Sequence, residues 1–144
     1  MNIKSILAKK GMNVVTIRPE QVIREAIFRL AEYNIGALVV MDETNLPAGI
    51  LSERDITRAL ANDEQIFSKL VSDLMTKDVI TALPQDDLIS VANTMTEKRV
   101  RHLPVVEKGK LVGIVSIGDV LKAQRDQYKG EVDTLQTQIL GESV

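Results

Sequence analysis

The chain has 144 residues, 44% of them apolar, a net charge of −2 and no cysteine. That length fits one compact domain or two small interdependent halves, and the charge offers no basic field for nucleic acid. Without cysteine, disulfides and thiolate metal sites are excluded, and a reducing, cytoplasmic setting is expected. Met1 to Lys10 has no apolar stretch of signal-peptide length and reads as one or two helical turns. No run approaches the ~20 apolar residues of a membrane helix, so no membrane partner is expected.

Val14 to Ile17 reads as a short strand, stopped by Pro19. Val22, Ile23, Ala26, Ile27 and Leu30 then recur at helical spacing and give one apolar face. Ala37 to Met41 is a continuous apolar run, the pattern of a strand buried on both faces. Asp42 to Asn45 is a polar turn, Ala48 to Leu51 the next strand, and Ser52 opens a helix through Leu60 and Ala61. The stretch from Ala61 to Met75 starts polar, then carries Ile66, Leu70, Val71 and Leu74 as a linking helix. Val79 to Ala82 is again a strand. Leu88, Val91, Ala92 and Met95 mark a helix face, with Asp86 or Asp87 as its cap. Leu103 to Val106 and Leu111 to Val115 are strands joined by a Lys108-Gly109 turn, and Ser116 to about Gln124 begins the last helix. Tyr128, Val132, Leu135 and Ile139 form a further helical stripe, weakened by Gly130, that either packs on its own domain or makes a dimer seam.

The chain states one pattern twice. Gly49-Ile50-Leu51-Ser52-Glu53-Arg54-Asp55-Ile56 returns 64 positions later as Gly113-Ile114-Val115-Ser116-Ile117-Gly118-Asp119-Val120. Upstream segments return at a shift of 65, Leu38-Val39-Val40 as Leu103-Pro104-Val105, so the second copy has lost one turn residue. A period this long argues for one unit duplicated and packed against itself. The expected division is a helical flank over 1–11, repeats over 12–61 and 76–126, a linking helix over 62–75 and a helical tail over 127–144.

Ser52-x-x-Asp55 and Ser116-x-x-Asp119 each stand where a strand turns into a helix. One reading is a capping box, which satisfies free helix N–H groups. The other is a ligand site, favoured because the turn recurs and because Gly49 and Gly113 permit close approach of backbone or ligand. A carboxylate opposes phosphate but accepts hydrogen bonds from a ribose diol, as the acid of dinucleotide-binding folds does. Serine hydroxyls and helix N–H groups are then left for phosphate oxygens. The cations are not duplicated. Arg54 marks the first turn, where the second has Gly118, and Arg101-His102 stands where the first copy has Gly36-Ala37. Two clefts of unequal affinity are therefore expected. Arg99 reads as a solvated surface charge. His102 is the only histidine, so a multi-histidine metal site is excluded, and no nucleophile signature accompanies it.

At these residues the chain resembles a pair of CBS domains, the tandem module named for cystathionine β-synthase. The resemblance covers about Met12 to Gln124 and rests on Gly-h-h-Ser-x-x-Asp-h (h, apolar) in both copies. It implies a mixed α/β (α+β) fold, two β-α-β-β-α repeats packed about a pseudo-twofold axis with flanking helices. It also implies ligands containing adenosine: AMP, ADP, ATP or NAD, with S-adenosylmethionine behind them. In such members Asp55 with Ser52, and Asp119 with Ser116, would hold ribose and phosphate oxygens. Arg101 and His102 would meet phosphate, and Ile35, Gly36, Ala37, Leu103 and Pro104 would edge the adenine pocket. The implied protein is a nucleotide sensor without catalysis, a homodimer that requires no cofactor and acts on an unidentified target protein. A ligand-independent dimerisation scaffold is the alternative.

Overall fold

The computed structural model describes residues 1–142, with side chains through residue 138. Strands β1 (Thr16–Ile17), β2 (Ala37–Met41) and β3 (Pro47–Ser52) form one sheet in that order, β1 parallel and β3 antiparallel to β2. Strands β4 (His102–Glu107) and β5 (Lys110–Ser116) form a second, antiparallel pair. Helices α1 (Ile3–Lys10), α2 (Ile23–Tyr33), α3 (Glu53–Asn62), α4 (Val71–Leu74), α5 (Leu88–Lys98) and α6 (Ile117–Glu142) pack around them. This is the expected mixed architecture of two like units.

The hairpins confirm the alignment of the copies. β2–β3 pairs Ala37 with Ser52 and Val40 with Gly49, while β4–β5 pairs His102 with Ser116 and Val105 with Gly113. Both ladders slip at the same place, after Val40 and after Val105. Each copy keeps its own apolar core. Leu38, Val40 and Leu51 anchor the first with Ile23 and Ala26 of α2, and Leu103, Val105 and Val115 anchor the second with Leu88, Val91 and Met95 of α5.

Three expectations change. The strand expected at Val79 to Ala82 shrinks to one parallel bridge, Ala82 with Val105. Pro104 stands where the first copy has Val39, and it lacks the N–H that the next rung would need. The linking helix is two short pieces, a 3-10 turn at Ile66–Ser68 and α4. Between them Leu70 is extended and bridges Val22. The tail is not a separate helix but the continuation of α6, which runs through Gly130. Tyr128 and Leu135 are 70% and 58% exposed, so the stripe does not pack on its own domain there. The Ile139 side chain lies outside the described residues.

The segments that precede each repeat are exchanged. α1 precedes the first repeat yet docks on the second, through Ile3 N–H to Asp86 O at 3.0 Å, Lys4 N–H to Pro84 O at 2.8 Å and Leu88 N–H to Met1 O at 3.3 Å. The stretch before the second repeat docks on the first in the same way, through Val71 N–H to Gln21 O at 2.8 Å, Ser72 N–H to Pro19 O at 3.0 Å and Ile23 N–H to Lys69 O at 2.8 Å. Ile3, Ile6 and Leu7 thus join the second core, and Ile66 and Val71 the first. The repeated glycines make room for this exchange. A Cβ on Gly49 would stand 2.6 Å from Met75 Sδ and 2.9 Å from Thr76 O, and one on Gly113 2.6 Å from Leu7 Cδ2.

Candidate functional site

Both Ser-x-x-Asp turns are helix caps. Ser52 Oγ accepts from Asp55 N–H at 3.2 Å, and Asp55 Oδ2 accepts from Ser52 N–H at 2.9 Å and from its hydroxyl at 3.1 Å. Ser116 and Asp119 repeat the two backbone bonds at 3.1 and 2.9 Å. Each cap is worth about 1 kcal/mol. In both turns Oδ2 is spent on the cap. Oδ1 of Asp55, like Oδ1 of Asp119, accepts no hydrogen bond from the described residues and remains available to a donor from outside.

Asp55 faces a cleft of about 670 Å³ between the repeats. The first repeat supplies Gly36, Ile50, Ser52, Glu53, Arg54, Asp55 and Arg58 to its walls, and the second supplies Lys98, Arg99, Val100, Arg101, His102 and Leu103. Thr76, Asp78, Val79 and Ile80 close it from the connecting chain. Arg54 and Arg101, carried by different copies in sequence, therefore meet in one cleft. Five cations line it against the three carboxylates of Glu53, Asp55 and Asp78. The remaining room is walled by Ile50, Val79, Ile80, Val100 and Leu103, an apolar set able to accept a flat ring.

Asp119 lies elsewhere. Its Oδ2 takes the Lys10 ammonium at 2.6 Å, and the same ammonium donates to Ile114 O at 2.9 Å. It borders a smaller hollow of about 240 Å³ under α1, with Ser5, Ile6, Lys9, Lys122 and Asp126 among its walls. Burial pushes the Asp119 carboxyl up. The hydrogen bond from Lys10, the Ser116 N–H and the Lys10 charge outweigh it and hold the group below the usual carboxylate range.

His102 is half-buried on β4, and a methyl built on Gly36 would stand 3.7 Å from its Nε2. Burial lowers its basicity, and Lys10 and Arg101 push the same way against Asp119 and Glu53. The imidazole is therefore neutral at pH 7. It feels the charges of the Lys10–Asp119 pair at the second turn and of Glu53 at the first.

Of the residues expected from sequence, Gly36, Ser52, Arg54, Asp55, Arg101, His102 and Leu103 line the large cleft. Ala37 and Pro104 are buried in their strands, Ile35 packs against the first core, and Ser116 with Asp119 serves the other turn. Arg99 is exposed, as expected, but it lines the cleft and takes a left-handed backbone, φ 55°, at the end of α5. The first copy has Asn34 at that position, φ 51°, a residue that tolerates this conformation far better. Arg58 also lines the cleft, and its spacing of four from Arg54 on α3 puts both on one helix face. Nothing in the sequence gives Thr76 to Ile80 a place in the cleft, or marks Lys10, which reaches Asp119 through the exchange of segments. Among the described residues no helix is long and apolar enough to cross a membrane, and no His, Cys, Asp and Glu cluster suits a metal ion.

Residues 3–62 and 71–126 match the CBS domain family. A CBS domain-containing mitochondrial protein of Arabidopsis thaliana is 33% identical over 127 residues, 85% of this chain and 62% of the relative, so the chain spans under two thirds of that protein. The crystal structure of a CBS-domain containing protein from Agrobacterium tumefaciens aligns with a TM-score of 0.82 at 40% identity, covering 86% of this chain and 99% of that one. The CBS domain pair of protein MJ0100, solved with 5′-methylthioadenosine and S-adenosyl-L-methionine, aligns with a TM-score of 0.78 at 30% identity over 88% of this chain and 98% of that one.

Proposed function

The chain belongs to the CBS-domain family, and from that premise we propose that it is a regulatory module which binds an adenine nucleotide between its repeats. It acts by a ligand-dependent change of conformation or dimer arrangement, without catalysis. The observation that carries this reading is the meeting of Asp55, with one oxygen free, and Arg54, Arg58, Lys98, Arg99 and Arg101 in a single cleft. A ribose diol fits the carboxylate, phosphate fits the cations, and the apolar wall fits the base. The adenosine-containing ligands of the MJ0100 pair support the nucleoside half of this assignment. The excess of positive charge favours AMP, ADP, ATP or NAD over S-adenosylmethionine, whose sulfonium it would repel. The exposed Tyr128 and Leu135 on α6 favour a homodimer joined through the tail, which is also the core of the scaffold alternative.

Thermal unfolding with each ligand tests the reading. At 100 times Kd a ligand adds about 2.7 kcal/mol, a rise of roughly 5–10 °C for a chain of this size. AMP, ADP, ATP or NAD should produce it, and Arg101→Ala should remove it. If none of them shifts the transition at millimolar concentration, the module is not an adenine-nucleotide sensor and the scaffold reading takes its place.

A further inference from the structure

The two motif carboxylates make the same cap but meet different surroundings, and the difference is one lysine. Ile114 is the counterpart of Ile50, which lines the cleft at Asp55. The Ile50 carbonyl accepts the Thr76 N–H at 2.8 Å, a backbone group that leaves the space before Asp55 open. The Ile114 carbonyl instead accepts the Lys10 ammonium at 2.9 Å, and that ammonium also sits 2.6 Å from Asp119 Oδ2. The Lys10 side chain is 37% exposed and that of Asp119 27%. Lys10 ends α1, which is pinned by Ile3 and Lys4 backbone bonds and by Leu7 seated on Gly113, so folding fixes its backbone beside Asp119 and the ion pair has only the side-chain rotamers left to order. Among the described residues Asp55 has no such ion pair.

We infer that Lys10 is an internal occupant of the second motif, which closes Asp119 to ribose and leaves this chain one open nucleotide site. A nucleoside diol that engages both carboxylate oxygens of Asp119 must displace the ammonium from Oδ2, and a neutral hydroxyl competes poorly with a charge-assisted bond. The inference rests on the proposed nucleotide binding at Asp55 and assigns the site's stoichiometry to a residue outside both motifs.

Isothermal titration with ATP and with AMP tests it on the wild type, Asp55→Asn, Asp119→Asn, Lys10→Met and Lys10→Met/Asp119→Asn, each first checked for cooperative unfolding. The wild type should bind one nucleotide per chain. Asp55→Asn should weaken that event about tenfold to hundredfold, and Asp119→Asn should leave it unchanged. Lys10→Met keeps the apolar stem and removes the charge, so a second event should appear and vanish again in the double variant. Two events in the wild type, no gain in Lys10→Met, or loss of an event on removing Lys10 would each overturn the inference. If the wild type binds neither nucleotide, the proposed function fails instead. Lys10→Met must even then gain binding that Asp119→Asn abolishes, or this inference fails with it.

Discussion

Ser52 with Asp55 and Ser116 with Asp119 cap their helices by the same bonds at nearly the same distances. Around them the copies have parted. The first turn opens on a large cationic cleft, and the second borders a smaller hollow beside α1 and is paired with Lys10. The difference teaches that the cap is what folding requires of this motif, and the space before the carboxylate is what function can vary. A Ser-x-x-Asp turn remains a good cap whether or not anything binds it. What decides its use is the neighbouring segment, contributed by the other half of the chain.

Ways to break this comparison start with the exchanged segments. Ile3 is fully buried in the second core, so Ile3→Ala should cost about 2–5 kcal/mol in urea denaturation. Hydrogen exchange should then show protection lost first in β4 and β5, not in β2 and β3. Protection lost equally in both sheets would mean that the copies do not differ in what α1 supports. Next come the two glycines. Gly49→Ala drives a methyl against the Thr76 carbonyl, a backbone atom, and should cost about 1–3 kcal/mol. Gly113→Ala meets the buried Leu7 side chain rather than backbone and should cost less by the same assay. Arg99 offers a smaller and opposite effect. Arg99→Asn relieves a left-handed arginine and should stabilise the fold by about 1 kcal/mol, yet weaken nucleotide binding in titration because a cleft cation is lost.

The smallest effect is in pH. The folded pKa of His102 lies below its unfolded value of 6.5, so its contribution to stability is present above 6.5 and is lost as pH falls through the folded value. Asp119 has the same sign lower down, its contribution present above 3.8 and lost as pH falls through its own folded pKa. Asp42 and Asp63, held down by hydrogen bonds to their own turns, share that acid window. Melting temperature followed from pH 8 to 5 should therefore decline in the wild type and stay flatter in His102→Gln.

Much of this was legible in the residues. The apolar run Ala37 to Met41 matches β2 residue for residue, since a strand buried on both faces needs no polar alternation. The motif turns, the Asp87 cap and the slipped hairpin alignment follow from local chemistry and from the repeat itself. What was not legible depends on partners far along the chain. Pro104 cuts short a ladder whose other strand lies some 20 residues upstream. Lys10 meets an aspartate more than a hundred residues away. Arg54 and Arg101 look like features of separate copies until the repeats face one another. Periodicity reports the environment of a segment within its own unit and is blind to which unit it will dock upon.

The crossing of α1 and the 69–75 stretch has a consequence for how the gene can be divided. A cut between the repeats leaves each half holding the strap that belongs to the other, with an uncovered glycine groove and a core short of Ile3 and Leu7, or of Ile66 and Val71. Neither half is then a sensible folding unit alone. Co-expressed, the two fragments are complementary in the way of a clasped pair of hands, and should find each other and rebuild the intact molecule.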